Sequence, residues 1–207
     1  MLKRLLFALV VCGLGSGLVA RADTINVSLT NGLTCSTLSP CGTIAVTDNG
    51  SGGVTVTENL APNFFVVTGN GSNHPSLAMD LDATATSFTG FSSLPSGLSW
   101  STGTNPTPAG FSGEDYSYMV NLGGCSGSSC PTVSFLSFTI NGVSTADFDL
   151  SDSFPFVSDI NVAGKTGNVG GAGTITVTPP VPEPSSLMLL GTGALGLAGV
   201  IRRRFNG

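Results

Sequence analysis

Ile25-Asn26-Val27-Ser28-Leu29-Thr30-Asn31-Gly32 alternates apolar and polar side chains and then runs into an Asn-Gly pair. Successive side chains of a strand point to opposite faces, so a period of two marks a strand with one face buried, and Asn-Gly tolerates the positive φ of a tight turn. The pattern recurs. Ile44 alternates with Val46, Val54 with Val56, Leu77 with Met79 and Leu81, and Ile175 with Val177, while Asn49-Gly50 and Asn141-Gly142 repeat the turn signal. Further strands are expected at 63–68, 87–91, 116–122, 132–140 and 145–150. In 132–140 the adjacent apolar pair Phe135-Leu136 breaks the alternation, which a bulge would restore. No stretch between Asp23 and Pro179 sustains a helical period. The expectation is an all-β fold, an antiparallel β-sandwich of jelly-roll type.

The two ends of the chain read differently. Lys3 and Arg4 precede an apolar run from Leu5 to Val19, and Ala20-Arg21-Ala22 is a small-x-small site before Asp23. Residues 1–22 are therefore expected to be a secretory signal peptide, cut by signal peptidase between Ala22 and Asp23. Cys12 lies inside its apolar region and leaves with it. At the other end, residues 179–186 form a Pro-rich linker, 187–201 an uncharged apolar run, and 202–207 a tail with Arg202, Arg203 and Arg204. Prolines fix φ and lack an amide hydrogen, so a helix can begin only after Pro184, with Ser185 or Ser186 as its cap. As a helix the run is about 22 Å long, marginal against a hydrocarbon core of about 30 Å. Snorkelling arginines and local thinning of the bilayer narrow the gap. Basic residues stay on the cytoplasmic side, so everything before the run faces outward.

Pro182-Glu183-Pro184, a short apolar helix and an arginine cluster, in that order, resemble the PEP-CTERM sorting signal of exopolysaccharide-producing Gram-negative bacteria. The resemblance is confined to this tail. It implies that the chain is a substrate of an exosortase, a membrane enzyme that cleaves near the Pro-Glu-Pro. On that resemblance Pro182, Glu183 and Pro184 are the recognition element, 187–201 is the transmembrane span and Arg202, Arg203 and Arg204 are the basic stop. The expected location is the inner membrane in passing, then the cell envelope, the surface or the extracellular matrix. Fold and activity of residues 23–178 gain nothing from it.

Between its ends the chain is acidic. Of the seven Lys and Arg, only Lys165 lies in 23–178, against eleven of the twelve Asp and Glu. Phosphate backbones are held by clustered cations, so nucleic acid is excluded as a partner. An acidic polysaccharide would be repelled unless divalent cations bridge it. About 156 residues make one domain rather than two.

Four cysteines remain after signal removal, Cys35 near Cys41 and Cys125 near Cys130. Exported cysteines oxidise, and four allow three pairings. A local bridge closes about seven residues and stabilises by roughly 2.4 kcal/mol, whereas a bridge over about ninety gives roughly 4.6 kcal/mol. Spacing favours the local pairs, because each flanks Pro and Gly in a loop-like stretch that a bridge would pin. Zinc is disfavoured, since neither pair has a two-residue knuckle and His74 is the sole histidine.

Candidate chemistry is sparse. Asp80 with Asp82, and Asp147 with Asp149 and Asp152, offer hard oxygens at alternate positions, as calcium uses. The competing reading places each pair on the solvent face of a strand whose Leu77, Met79, Leu81, Phe148 and Leu150 point inward. No other cofactor is expected. His74 sits in the polar turn Asn70-Gly-Ser-Asn-His74-Pro75, and Glu58, Glu114 and Asp115 match glycosidase carboxylates by residue type alone. Trp100, Phe111, Tyr116 and Tyr118 surround a Pro/Gly-rich stretch and would either stack on sugars or pack in the core. Two classes follow: a non-catalytic exported surface or matrix protein, or a carbohydrate-binding module or polysaccharide-active enzyme. An ordinary membrane anchor without sorting explains the helix and arginines but leaves the Pro-Glu-Pro idle.

Overall fold

The period-two runs become strands of a single curled antiparallel sheet. The computed structural model describes residues 24–32, 35, 40–67, 73–125 and 130–174, all within the compact unit Ala22–Thr178. Its strands are β1 (Thr24–Asn31), β2 (Gly42–Asp48), β3 (Gly53–Leu60), β4 (Phe64–Val66), β5 (Leu77–Met79), β6 (Ser87–Thr89), β7 (Ser99–Thr104), β8 (Tyr118–Gly123), β9 (Phe135–Asn141), β10 (Phe156–Val162) and β11 (Lys165–Thr174). Their order is β6-β9-β3-β2-β1-β11-β10-β5-β8-β7, with β4 paired to β10. The all-β antiparallel expectation stands. In place of two stacked sheets there is one sheet, rolled until it is nearly a barrel.

The first and last strands are neighbours at the middle of that order, Asn26 opposite Thr174 and Leu29 opposite Gly171, with one register shift between Leu29 and Asn31. The bulge expected near Phe135-Leu136 is absent, because β9 begins at Phe135 and pairs with β3 without a shift. Phe135 faces outward at 47 % exposure, while Leu136, Phe138 and Ile140 point in. The strand expected at 145–150 is replaced by a 3-10 turn, Thr145–Asp147. Its start is fixed by Asp147, whose carboxylate accepts from the Ser144 amide (2.7 Å) and hydroxyl (2.9 Å).

Inward residues at alternate positions along the strands fill the interior: Ile25, Val27, Leu29, Ile44, Val46, Val54, Val56, Phe138, Ile140, Phe156 and Ile160 are all buried. Each such side chain stabilises by about 1.5–3 kcal/mol. The sheet is also covered on part of its outside. Val157 and Ala78 there pack under Tyr116, Phe111 and Phe154, and glycine stands at Gly170 because a Cβ would lie 2.5 Å from a Phe111 ring carbon and 2.8 Å from one of Phe154.

The two edges, β6 and β7, come together through side chains. Phe91 stacks on Trp100 at 4.6 Å between centroids and Phe88 meets Tyr118 at 5.7 Å. Trp100 Nε1 donates to the Ser92 carbonyl (3.2 Å), and the Ala85 amide donates to the Tyr118 hydroxyl (3.0 Å). Both local disulfides form, Cys35–Cys41 across the β1–β2 connection and Cys125–Cys130 after β8. Among the described residues no helix is long and apolar enough to cross a membrane, and the expected span at 187–201 lies outside them.

Candidate functional site

β5 ends at Met79, and the next residue, Asp80, turns its carboxylate toward the loop after the 3-10 turn. The bridge between Leu81 and Phe148 brings that loop alongside. Ligand atoms of Asp80, Asp149 and Asp152 all lie within 4.8 Å of one another. Asp80 is not on a solvent face as the alternation suggested; it is buried, with the Ser117 hydroxyl donating to it at 2.7 Å. Burial pushes its carboxyl up, Ser117 pulls it partly back, and Asp152, Asp149 and Asp82 push it up again. Glu114, from the distant loop before β8, feels the same group. Its carboxyl is raised by desolvation first and then by Asp152 and Asp80. Asp149 is held low instead, because the hydroxyl and amide of Ser151 donate to it at 2.7 and 2.8 Å. The Tyr116 hydroxyl, raised by burial and then by Glu114, Asp152 and Asp80, donates to the Phe154 carbonyl at 2.9 Å.

The structure thus divides the five aspartates named for calcium. Asp80, Asp149 and Asp152 come together, and Asp82 stands near enough to repel Asp80. Asp147 is committed to the turn. Glu114 belongs with the group and was not grouped with it from sequence, since thirty-odd residues separate it from either aspartate run and only the folded sheet joins them. This all-oxygen donor set is of the type a hard divalent cation takes.

A second polar group lies on the outer face of β10 and β11. His74 Nδ1 is 3.2 Å from Asp159 Oδ2, with the imidazole half-exposed and the carboxylate buried. Burial raises the Asp159 carboxyl, and His74 and the Gly167 backbone lower it in part. Among the described residues no serine, threonine or cysteine side chain is hydrogen-bonded to His74, so the pair lacks the nucleophile of a hydrolytic triad there.

Glu58 is wholly buried inside the sheet, so it cannot flank a substrate. Asp115 is exposed. Trp100 packs on Phe91 and Phe138, Phe111 lies edge-on to Phe154 at 5.2 Å, Tyr116 is buried, and Tyr118 packs on Phe88. Trp100, Phe111 and Tyr118 remain partly exposed. The paired cysteines are the local pairs, Cys35 with Cys41 and Cys125 with Cys130. Ala22, Asp23, Pro182, Glu183, Pro184, Arg202, Arg203 and Arg204 lie outside the described residues.

Neither the curated proteins nor the solved structures include a match to this chain. A family model does match its tail. Residues 180–204 are a PEP-CTERM protein-sorting motif, which implies export and processing by an exosortase.

Proposed function

We propose that the chain is a non-catalytic surface or matrix protein of a Gram-negative cell, delivered through its C-terminal signal and retained in the envelope or extracellular polymer. The observation that carries this reading is the sorting motif at residues 180–204. Supporting it, Glu58, one of the carboxylates a glycosidase would need, is buried in the core, and Trp100 stacks on Phe91. In this reading signal peptidase cuts between Ala22 and Asp23, and the apolar run 187–201 then holds the chain in the inner membrane. Prolines 182 and 184 keep the segment ahead of it extended, the backbone form that a processing enzyme can grip. A run of about 22 Å is a marginal span, which suits a temporary hold better than a permanent one.

Replacing Pro182, Glu183 and Pro184 by alanine tests this in the producing cell, with the mass of the mature protein and its cell fraction as readouts. The expected result is an uncut, membrane-retained chain. Unchanged mass and fraction would leave a plain anchor. A glycan array and a hydrolase panel on the mature protein separate the two functional classes: turnover overturns the non-catalytic role, and one selectively bound glycan replaces it with a lectin-like one.

A further inference from the structure

Asp159 on β10 and Asn168 on β11 are direct cross-strand partners. Their side chains therefore stand side by side on the outer face of the sheet, with Cβ atoms about 5 Å apart. Both are more than nine-tenths buried, at 1 % and 8 % exposure. The Asn168 amide can take only one orientation, because both Nδ2 hydrogens are used, on the carbonyls of Asn73 (3.1 Å) and Ala109 (2.9 Å). Its Oδ1 is thereby fixed as an acceptor, and no donor among the described residues reaches it. Asp159 meets His74 through Oδ2, the Gly167 backbone bears on the same carboxyl, and its Oδ1 is the second acceptor without a hydrogen-bond partner among the described residues.

Buried polar atoms left unpaired cost about 1–3 kcal/mol each, so two acceptors side by side call for a partner that satisfies them: a water, a proton or an ion. What does so must bring positive charge or hydrogens. Lys165, the one lysine or arginine among the described residues, is exposed and makes no ion pair with Asp159. The segments above the two oxygens are held as a frame. The Ala109 amide donates to the Asn73 carbonyl (3.0 Å), the Thr107 hydroxyl to Asn73 Oδ1 (3.0 Å), and the Asp159 amide to the Pro75 carbonyl (3.1 Å). We propose that Asp159 Oδ1 and Asn168 Oδ1 anchor a binding site for a hard, oxygen-seeking cation beneath the His74 turn. Carboxylate and amide oxygens are the ligands such an ion takes, with water completing its shell. This site is built from residues other than Asp80, Asp149 and Asp152. With one carboxylate in the set, calcium affinity belongs to the weak extracellular class, dissociating on the order of 10⁻⁴–10⁻³ M.

The chain has one histidine, and it shares the Asp159 carboxylate with the proposed ion, so its ring-proton resonance reports occupancy of this site and no other. The experiment follows that resonance in the full chain, solubilised in detergent, at constant pH. Calcium chloride and, separately, sodium chloride are titrated against choline chloride of equal ionic strength. A saturable shift with calcium or sodium is expected, kept in the D149N/D152N double variant and weakened at least tenfold in Asp159→Asn. Methyl dispersion in the same spectra shows whether each variant is folded, and the wild-type titration stands without them. A wild-type resonance that moves no further than in choline overturns the proposal and assigns the two oxygens to water or a shared proton. Loss of the shift in D149N/D152N overturns it too, by placing the ion in the other cluster.

Discussion

Glu58 occupies an inward position of β3, opposite Ile44 on β2 and Leu136 on β9. Among the described residues neither carboxyl oxygen has a hydrogen-bond partner. Ser158 approaches from β10 across the interior, but its hydroxyl donates to the Ser76 carbonyl at 2.8 Å. Burial pushes the Glu58 carboxyl up from 4.5 to about 8, with Ser158 pulling weakly the other way. No charged side chain is among these facing groups. A carboxyl whose folded value lies above its unfolded one favours the fold as the neutral acid. Its contribution is complete below pH 4.5 and is lost as pH rises through about 8, at roughly 1.4 kcal/mol per unit. The whole loss is on the order of 3–5 kcal/mol. Urea midpoints at pH 5, 7 and 9 should therefore fall more steeply in the wild type than in Glu58→Gln, which cannot ionise. Asp80, Glu114 and Asp159 are raised as well, but they are common to both proteins, so the difference isolates Glu58. Parallel curves would refute the buried-acid reading.

The hairpin between β10 and β11 has a two-residue loop, Ala163-Gly164, with φ of 51° and 79°. Both residues are left-handed, as the primed turns require, yet alanine is poorly suited to the first place. Ala163→Asn is expected to raise stability by about 1 kcal/mol, since asparagine takes the left-handed conformation at lower cost, read as a higher thermal midpoint; a lower midpoint would contradict the turn assignment. The same alanine explains why this hairpin escaped notice while Asn49-Gly50 announced its own. At Asn49 the side chain accepts from the Ser51 amide at 2.8 Å and the Gly53 amide at 3.2 Å, and the turn builds itself from local chemistry. β1, β2 and β3 were legible because one face of each is apolar, and β5 because Leu77, Met79 and Leu81 recur at alternate positions. β7 carries a single apolar residue, Trp100, and β11 is rich in glycine, where Val27, Phe111 and Phe154 fill the space that its own side chains would occupy. β10 is buried on both faces, so its sequence does not alternate. The site was legible to the same degree. Spacing marked Asp80, Asp149 and Asp152, but it could not show Glu114 arriving from another loop, Asp147 capping a turn, or Asp159 beside Asn168.

Rolling one sheet leaves two edges to manage, and exposed edges invite other chains. Here aromatic rings draw β6 and β7 together. Phe91 lies against Trp100 and Phe138, and Trp100 is the chain's one tryptophan, so its fluorescence reports this junction alone. Phe91→Ala should red-shift the emission and lower stability by about 2–4 kcal/mol. An unmoved emission maximum would mean that the junction is held elsewhere. The single sheet, rather than two, could not have been foreseen from alternation, because both arrangements bury every second residue and differ only in which strands meet.

The partnership of β1 with β11 has a temporal side. A chain that crosses a membrane from its N-terminus delivers β1 first and β11 last, yet these two strands lie edge to edge at the centre of the sheet. Until residues 170–174 have emerged, β1 lacks its full set of partners on that flank, and the long loop between them must close before the pairing returns anything. Completion of the sheet thus waits on the export of β11, and residues 175–179 alone separate this last described strand from the sorting motif.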